Sequence, residues 1–310
     1  MGKIAFLFSG QGAQYVGMGK ELFENCKVSR ETFEEADDVL GFKISKLCFE
    51  GSKEELDKTE NTQPAILATS IAALKALEEN GIKADLAAGL SLGEYTALVY
   101  SGIFKFSDAV KLVKKRGKFM QEAVPMGEGA MAAVIGLDGD KVKDVCKKAS
   151  EFGIIEPSNF NCPGQIAVAG EVLAVEKAID IAKEAGARKV VMLQVSGPFH
   201  TSMLKPASDK LKTELEQVEI NDFNVPVITN VTGDYIKSKD DVKQLLQKQV
   251  MSSVLWEDTI KRMIADGVDT FVEIGPGKTL SGFVKKVDRS LRIFNVEDLN
   301  SLNKCVEGLK

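Results

Sequence analysis

Histidine is nearly absent from this sequence: His200 is the only one among 310 residues. Any chemistry here that needs an imidazole base has a single candidate. Cysteine is sparse as well. Cys26, Cys48, Cys146, Cys162 and Cys305 stand far apart, their number is odd, and no C-x-x-C pair occurs. That spacing excludes a disulfide framework and a zinc site, so no metal is expected, and it fits a reducing cytoplasm. Long apolar runs are missing too. No stretch approaches the ~18 residues of a membrane span. The run 4–8 is shorter than the ~7–15 residues of a signal-peptide core. Phe6 stands where a myristoylation signal needs Ser or Thr. Positive charge is not in excess, since 40 Lys and Arg face 45 Asp and Glu for a net charge of −5. Bulk charge therefore argues against a nucleic-acid binder, and neither nucleic acid nor membrane is an expected partner.

What is present is ordinary for a globular chain, with 44% hydrophobic and 27% charged residues. The length is near the upper limit for one core, which favours one large domain with a smaller one inserted or appended. Strand-like and helix-like segments alternate, the pattern of an α/β fold. A strand at 3–8 leads into the loop Ser9-Gly10-Gln11-Gly12. A helix is expected over 64–80, with Pro64 at its first position and Gly81 closing it. A strand over 85–90 runs into Ser91 and a helix over about 92–101. Another helix covers about 107–123. Between 127 and 197 the rhythm changes to a strand (131–137), a helix (140–150), two strands (154–159 and 165–170), a helix (173–185) and a strand (188–195). This is the β-α-β-β-α-β unit of a ferredoxin-like domain, read here as an insertion because simple α/β alternation resumes afterwards. Strands are expected at 225–231, 270–274 and 291–296, and a helix near 279–286. The implied division is 1–126 with 198–310 for the main domain and 127–197 for the insertion.

Several motifs resemble chemistry without completing it. Gly275-Pro276-Gly277-Lys278-Thr279 looks like the end of a phosphate-binding loop, but Val272 stands where its first glycine belongs. Gly10-x-Gly12 has Tyr15 where a dinucleotide fingerprint needs Gly or Ala. Gly127-x-Gly129-x-x-Ala132 precedes a strand instead of following one.

Gly89-Leu90-Ser91-Leu92-Gly93 is different, because G-x-S-x-G falls between an expected strand and an expected helix. A sharp turn there pushes the serine hydroxyl out at the carboxyl edge of the sheet. The free N–H groups of the new helix, beginning at Leu92, can face an oxyanion. The alternative is a serine that merely N-caps the helix. A nucleophilic serine needs a base, and His200 follows a strand, in the loop Val195-Ser196-Gly197-Pro198-Phe199-His200, downstream of Ser91. No third acid stands out. Arg116 is informative in another way. Lys111, Lys114, Lys115 and Lys118 share one face of the 107–123 helix, while Arg116 lies on the opposite, apolar face with Leu112 and Met120. A charge there is unfavourable unless it meets an anion. The anion is either a core Asp or Glu or a substrate carboxylate gripped in bidentate fashion. In the second case a charged hydrogen bond contributes ~1.5–3 kcal/mol toward an acid-bearing acyl group.

Taken together, the ordered motifs resemble the malonyl-CoA:acyl carrier protein transacylases of bacterial fatty acid synthesis. The resemblance runs nearly end to end: Phe8-Ser9-Gly10-Gln11-Gly12-Ala13-Gln14, Asn61-Thr62-Gln63-Pro64-Ala65, 89–94, Arg116, 159–164, 197–200, Gln249 seven residues before Trp256, and Glu273-Ile274-Gly275-Pro276-Gly277. It implies an α/β-hydrolase-like core with an inserted ferredoxin-like subdomain. It also implies roles. Ser91 would be acylated with His200 as base, and Gln11 would join the Leu92 amide in the oxyanion hole. Arg116 would grip the malonyl carboxylate, and Gln249 would orient His200 through its backbone carbonyl. Malonyl-CoA and acyl carrier protein would be the partners of a cytoplasmic enzyme that is expected to be monomeric and to need no cofactor. The sequence departs from the family pattern at Leu90, where histidine is common, and at Ser253, where many relatives have proline. Phe199 before His200 resembles the version found in malonyl-selective members, where a ring leaves little room for an α-methyl group. An acidic carrier protein would dock on basic groups. The lysine face and the pair Arg188, Lys189 are candidates, unless that face is simply solvated.

Overall fold

Alternate residues of the first strand point into two different cores. Phe6 and Phe8 belong to one, Ala5 and Leu7 to the other. A strand buried on both faces belongs to a sheet covered by helices on both sides, and the architecture follows from that. The computed structural model describes residues 2–125, 127–195 and 197–310. In chain order the first elements are β1 (Lys3–Phe8), α1 (Lys20–Asn25), α2 (Lys27–Leu40), α3 (Ile44–Glu50), α4 (Lys53–Asp57), α5 (Thr59–Glu79), β2 (Leu86–Gly89), α6 (Leu92–Tyr100) and α7 (Phe106–Glu122). A second group follows: β3 (Gly129–Ile135), α8 (Gly139–Ala149), β4 (Ile155–Cys162), β5 (Gln165–Glu171), α9 (Val172–Glu184) and β6 (Lys189–Met192). The chain then continues through α10 (Lys205–Glu216), β7 (Val227–Ile228), α11 (Val242–Gln249), α12 (Trp256–Ala265), β8 (Val268–Ile274), α13 (Thr279–Val287), β9 (Arg292–Val296) and α14 (Leu299–Leu309).

The main sheet has the order β7-β2-β1-β8-β9, and every neighbouring pair is parallel. One face carries the larger core, centred on α5, whose residues from Thr62 to Leu74 are all buried. The other face carries α12 and α13 through Trp256, Ile260, Met263, Leu280 and Val284. The second sheet is antiparallel, in the order β4-β5-β3-β6. Its alternation is clean. Ala132, Val134, Ile166 and Val168 pack under α8 and α9, whereas Met131, Ala167 and Ala169 turn toward the main core. The β4 edge also ties the small sheet to the segment before α12: Val254 donates to Ser158 O at 2.8 Å and accepts from Phe160 N at 2.9 Å. This is an α/β-hydrolase-like core with a small subdomain, the fold class expected.

Several expected elements differ in extent, and three of the differences are instructive. The helix expected from Pro64 begins at Thr59, because the Thr62 hydroxyl donates to Leu56 O at 2.5 Å and its N–H to Lys58 O at 2.8 Å. Those bonds support a first turn that Pro64 then continues from inside the helix. The strand expected over 225–231 shrinks to two residues, since Asn230 is drawn out of the sheet toward Ser91. The strand expected over 188–195 ends at Met192, and Leu193 and Val195 line a cavity instead. Ser196 and Met126 lie outside the described residues. Among the described residues no helix is long and apolar enough to cross a membrane, and no cluster of His, Cys, Asp and Glu could hold a metal.

Candidate active site

The turn between β2 and α6 carries Ser91 at φ 54 and ψ −103, a region that L-residues rarely occupy. Sequence explains how such a turn fits. A Cβ on Gly89 would sit 1.9 Å from the Gly93 carbonyl, and one on Gly93 would sit 2.0 Å from Phe8 O. Both glycines of G-x-S-x-G are therefore required by close backbone packing. Asn230 clamps the same turn. Its Oδ1 accepts from Ser91 N–H at 2.6 Å, and its Nδ2 donates to Gly89 O at 2.8 Å. The alternative reading of Ser91 as a helix cap fails, because its side chain makes no capping bond to α6.

The hydroxyl turns to His200 instead. Ser91 Oγ lies 2.7 Å from His200 Nε2, and His200 Nδ1 lies 2.8 Å from the backbone oxygen of Gln249. A carbonyl only accepts, so Nδ1 carries the proton and Nε2 is left to accept from the serine. Burial, reinforced by the Arg116 charge, pulls the imidazole down to about 4, so it is neutral at pH 7. No carboxylate contacts the ring among the described hydrogen bonds; the Gln249 carbonyl stands in that place.

Arg116 is 1% exposed. It projects from the apolar side of α7, with its guanidinium 5.2 Å from the centre of the Tyr95 ring. Its Nη1 donates to Gln63 Oε1 at 2.8 Å, and its Nη2 donates to Gln249 Oε1 at 3.0 Å and to Ser91 Oγ at 3.2 Å. Among the described residues no Asp or Glu forms a direct ion pair with it; Glu94 reaches it only through the Gln249 side chain.

Gln11 and Leu92 complete the set of expected residues. Gln11 follows β1 on the cavity wall, with its side-chain amide committed to Thr59 Oγ1 at 3.2 Å. Leu92 opens α6, where the first-turn N–H groups have no intrahelical acceptor. All six expected residues thus gather at the carboxyl edge of the parallel sheet, the usual place for a site in an open α/β sheet. A cavity of about 650 Å³ opens there between the two sheets. Its walls come from 9–14, Gln63, Leu90, Ser91 and Met120 on one side, from Met131, Ala133, Asn159, Asn161, Gln165 and Ala167 of the small sheet, and from Phe199, His200, Leu280 and Phe283.

Residues 5–303 match the acyl transferase domain family. The malonyl CoA-acyl carrier protein transacylase of Bacillus subtilis (strain 168) is 51% identical, with 100% of this chain and 98% of that protein covered. The transacylase of the same name from Escherichia coli (strain K12) is 42% identical, covering 99% and 100%. The crystal structure of the Clostridium perfringens transacylase superposes with a TM-score of 0.97 at 51% identity, covering 99% of this chain and 97% of that one. A malonyl-transacylase solved in complex with its type II PKS acyl-carrier protein gives 0.96 at 43% identity, covering 99% of each. The chain belongs to the malonyl CoA-acyl carrier protein transacylase family.

Within this transacylase frame the departures have physical accounts. Leu90 lines the cavity and packs against Gly10, where an added Cβ would lie 3.1 Å from its Cδ2. Ser253, in the place of proline, donates its hydroxyl to Pro157 O at 2.6 Å. The phosphate-loop lookalike has its helix N-terminus occupied from within: Glu273 accepts from Leu280 N at 3.0 Å and Ser281 N at 2.7 Å. The lysine face is largely paired, with Lys115 at 2.6 Å from Glu214, Lys118 at 3.8 Å from Glu122 and Lys114 at 4.0 Å from Glu60.

Sequence reasoning gave no role to Asn230, Glu94 or Gln63. Asn230 carries no local signal, since its partner Ser91 is 139 residues away. Glu94 likewise carries no local signal, since its partners Asn230 and Gln249 lie 136 and 155 residues away.

Proposed function

We propose that this enzyme moves a malonyl group from malonyl-CoA to the phosphopantetheine thiol of acyl carrier protein through an ester on Ser91. The observation that carries the reading is the pairing of a serine hydroxyl with a buried cation: Arg116 Nη2 lies 3.2 Å from Ser91 Oγ, and among the described residues no Asp or Glu forms a direct ion pair with it. A serine hydrolase of uncharged esters has no use for such a charge.

In the first half-reaction Ser91 Oγ forms a bond to the thioester carbonyl carbon while its proton passes to His200 Nε2. The carbonyl electrons move onto oxygen, where the backbone N–H groups of Gln11 and Leu92 receive them. Collapse re-forms the carbonyl and breaks the carbon–sulfur bond. His200 returns the proton to the departing CoA thiolate. The acceptor thiol repeats the sequence in reverse, with the neutral imidazole taking its proton and Ser91 leaving. Gln249 holds His200 in the Nδ1–H tautomer throughout, and Arg116 pairs with the malonyl carboxylate, fixing the acyl chain beside Ser91. Phe199, on the cavity wall, disfavours an α-methyl group.

We further place the enzyme in fatty acid synthesis in the cytoplasm, as a monomer that needs no metal or other cofactor, with a main domain of 1–126 and 198–310 and a subdomain of 127–197. The experiment that tests the function is transfer of labelled malonyl from malonyl-CoA to holo acyl carrier protein. Rapid release of free malonate without transfer would support a thioesterase instead.

A further inference from the structure

Glu94 is a fully buried carboxyl group that the reaction just described does not use; burial pushes its pKa up, opposed by the hydrogen bonds from Asn230 and Gln249 and by the Arg116 charge, which favour the anion. It sits in the first turn of α6, three residues after Ser91. Its Oε2 accepts from Asn230 N–H at 2.9 Å and from Gln249 Nε2 at 2.7 Å. The other end of the Gln249 amide, Oε1, accepts from Arg116 Nη2 at 3.0 Å. A guanidinium and a carboxylate therefore face each other across one amide, whose oxygen meets the cation and whose N–H meets the anion. The flipped amide would set N–H against N–H and oxygen against oxygen, so the two charges fix its orientation. The remaining Nε2 hydrogen goes to Ser91 O at 3.0 Å.

We propose that Glu94 is a positioning residue for acyl-group selectivity, balancing Arg116 through the Gln249 side chain without covering the guanidinium face that a substrate carboxylate needs. A direct Glu–Arg pair would occupy that face. A cation with no counter-charge would be unfavourable in so buried a place. The bridged arrangement avoids both, and it tempers how strongly Arg116 draws an anion. This rests on Arg116 being the receptor for the malonyl carboxylate.

Glu94→Gln keeps the shape and an acceptor oxygen but removes the charge. Arg116 is then less balanced, and the ratio of kcat/KM for malonyl-CoA over acetyl-CoA rises, on the order of tenfold. Glu94→Asp, which retains the charge, keeps the ratio nearer the parent value. Both substrates are assayed on one preparation, so any inactive fraction cancels from the ratio. In an Arg116→Ala background the Glu94→Gln change leaves the ratio unmoved. A Glu94→Gln ratio that stays the same or falls, or a rise that persists without Arg116, overturns the proposal. If Arg116→Ala alone depresses both substrates equally, the carboxylate role of Arg116 fails first and this proposal falls with it.

Discussion

Ser91 and His200 are the two non-glycine residues with positive φ among the described residues, at 54° and 62°, and they are the two whose side chains meet at 2.7 Å. Backbone strain is thus concentrated on the proposed nucleophile and the proposed base. Such conformations are unfavourable by ~1–3 kcal/mol each and persist only where surrounding structure holds them. Here Gly89, Gly93 and Asn230 hold the serine.

That arrangement makes Asn230→Ala an informative variant. It removes an acceptor from Ser91 N–H and a donor from Gly89 O, both buried, at about 1–3 kcal/mol for a group left unpaired. A lower melting temperature and slower acylation by malonyl-CoA and acetyl-CoA alike are expected. Thermal unfolding and single-turnover acylation check both. Preferential loss of malonyl transfer would instead link Asn230 to carboxylate recognition.

The depressed His200 pKa has two consequences with one sign. The imidazole is the neutral base down to about pH 4 in the free enzyme. The acid limb of kcat/KM is therefore expected well below the ordinary histidine value of about 6.5. Unfolded His200 binds a proton below about 6.5 that the folded protein refuses until about 4, so stability falls as pH drops through that window. A pH–rate profile and urea titrations between pH 4 and 7 test this. An acid limb near 6.5 would contradict it.

Arg116→Ala separates recognition from chemistry. Malonyl transfer is expected to fall at least tenfold in kcat/KM, from a charged hydrogen bond of ~1.5–3 kcal/mol, while acetyl transfer is relatively spared. Steady-state assays with both thioesters decide. Equal loss would end the carboxylate role, since Arg116 also touches Ser91 Oγ and Gln249.

The residues that fold locally were the legible ones. Ser91 declared itself through G-x-S-x-G, His200 through scarcity, and Arg116 through its place on the apolar face of a helix. The β-α-β-β-α-β rhythm of the small sheet was readable because each element has its own period. What sequence patterns do not encode is pairing across long separations. Asn230 reaches Ser91, and Gln249 reaches Glu94 from 155 residues away, and neither carries a periodicity or a capping signal. The same cause hid the true start of α5. Its first turn is supported by Thr62 bonding back to Leu56 and Lys58, so proline was a misleading marker of the helix end. The two-residue β7 is short because a site contact, not strand propensity, decides where the chain leaves the sheet.

A malonyl ester on Ser91 is the proposed intermediate, and intact-protein mass spectrometry with peptide mapping after brief exposure to malonyl-CoA would capture it. The expected result is one malonyl adduct on the peptide containing Ser91, absent from Ser91→Ala and discharged by holo acyl carrier protein. A Ser91→Ala protein that still takes up the label, or an adduct that maps to another residue, would contradict the account.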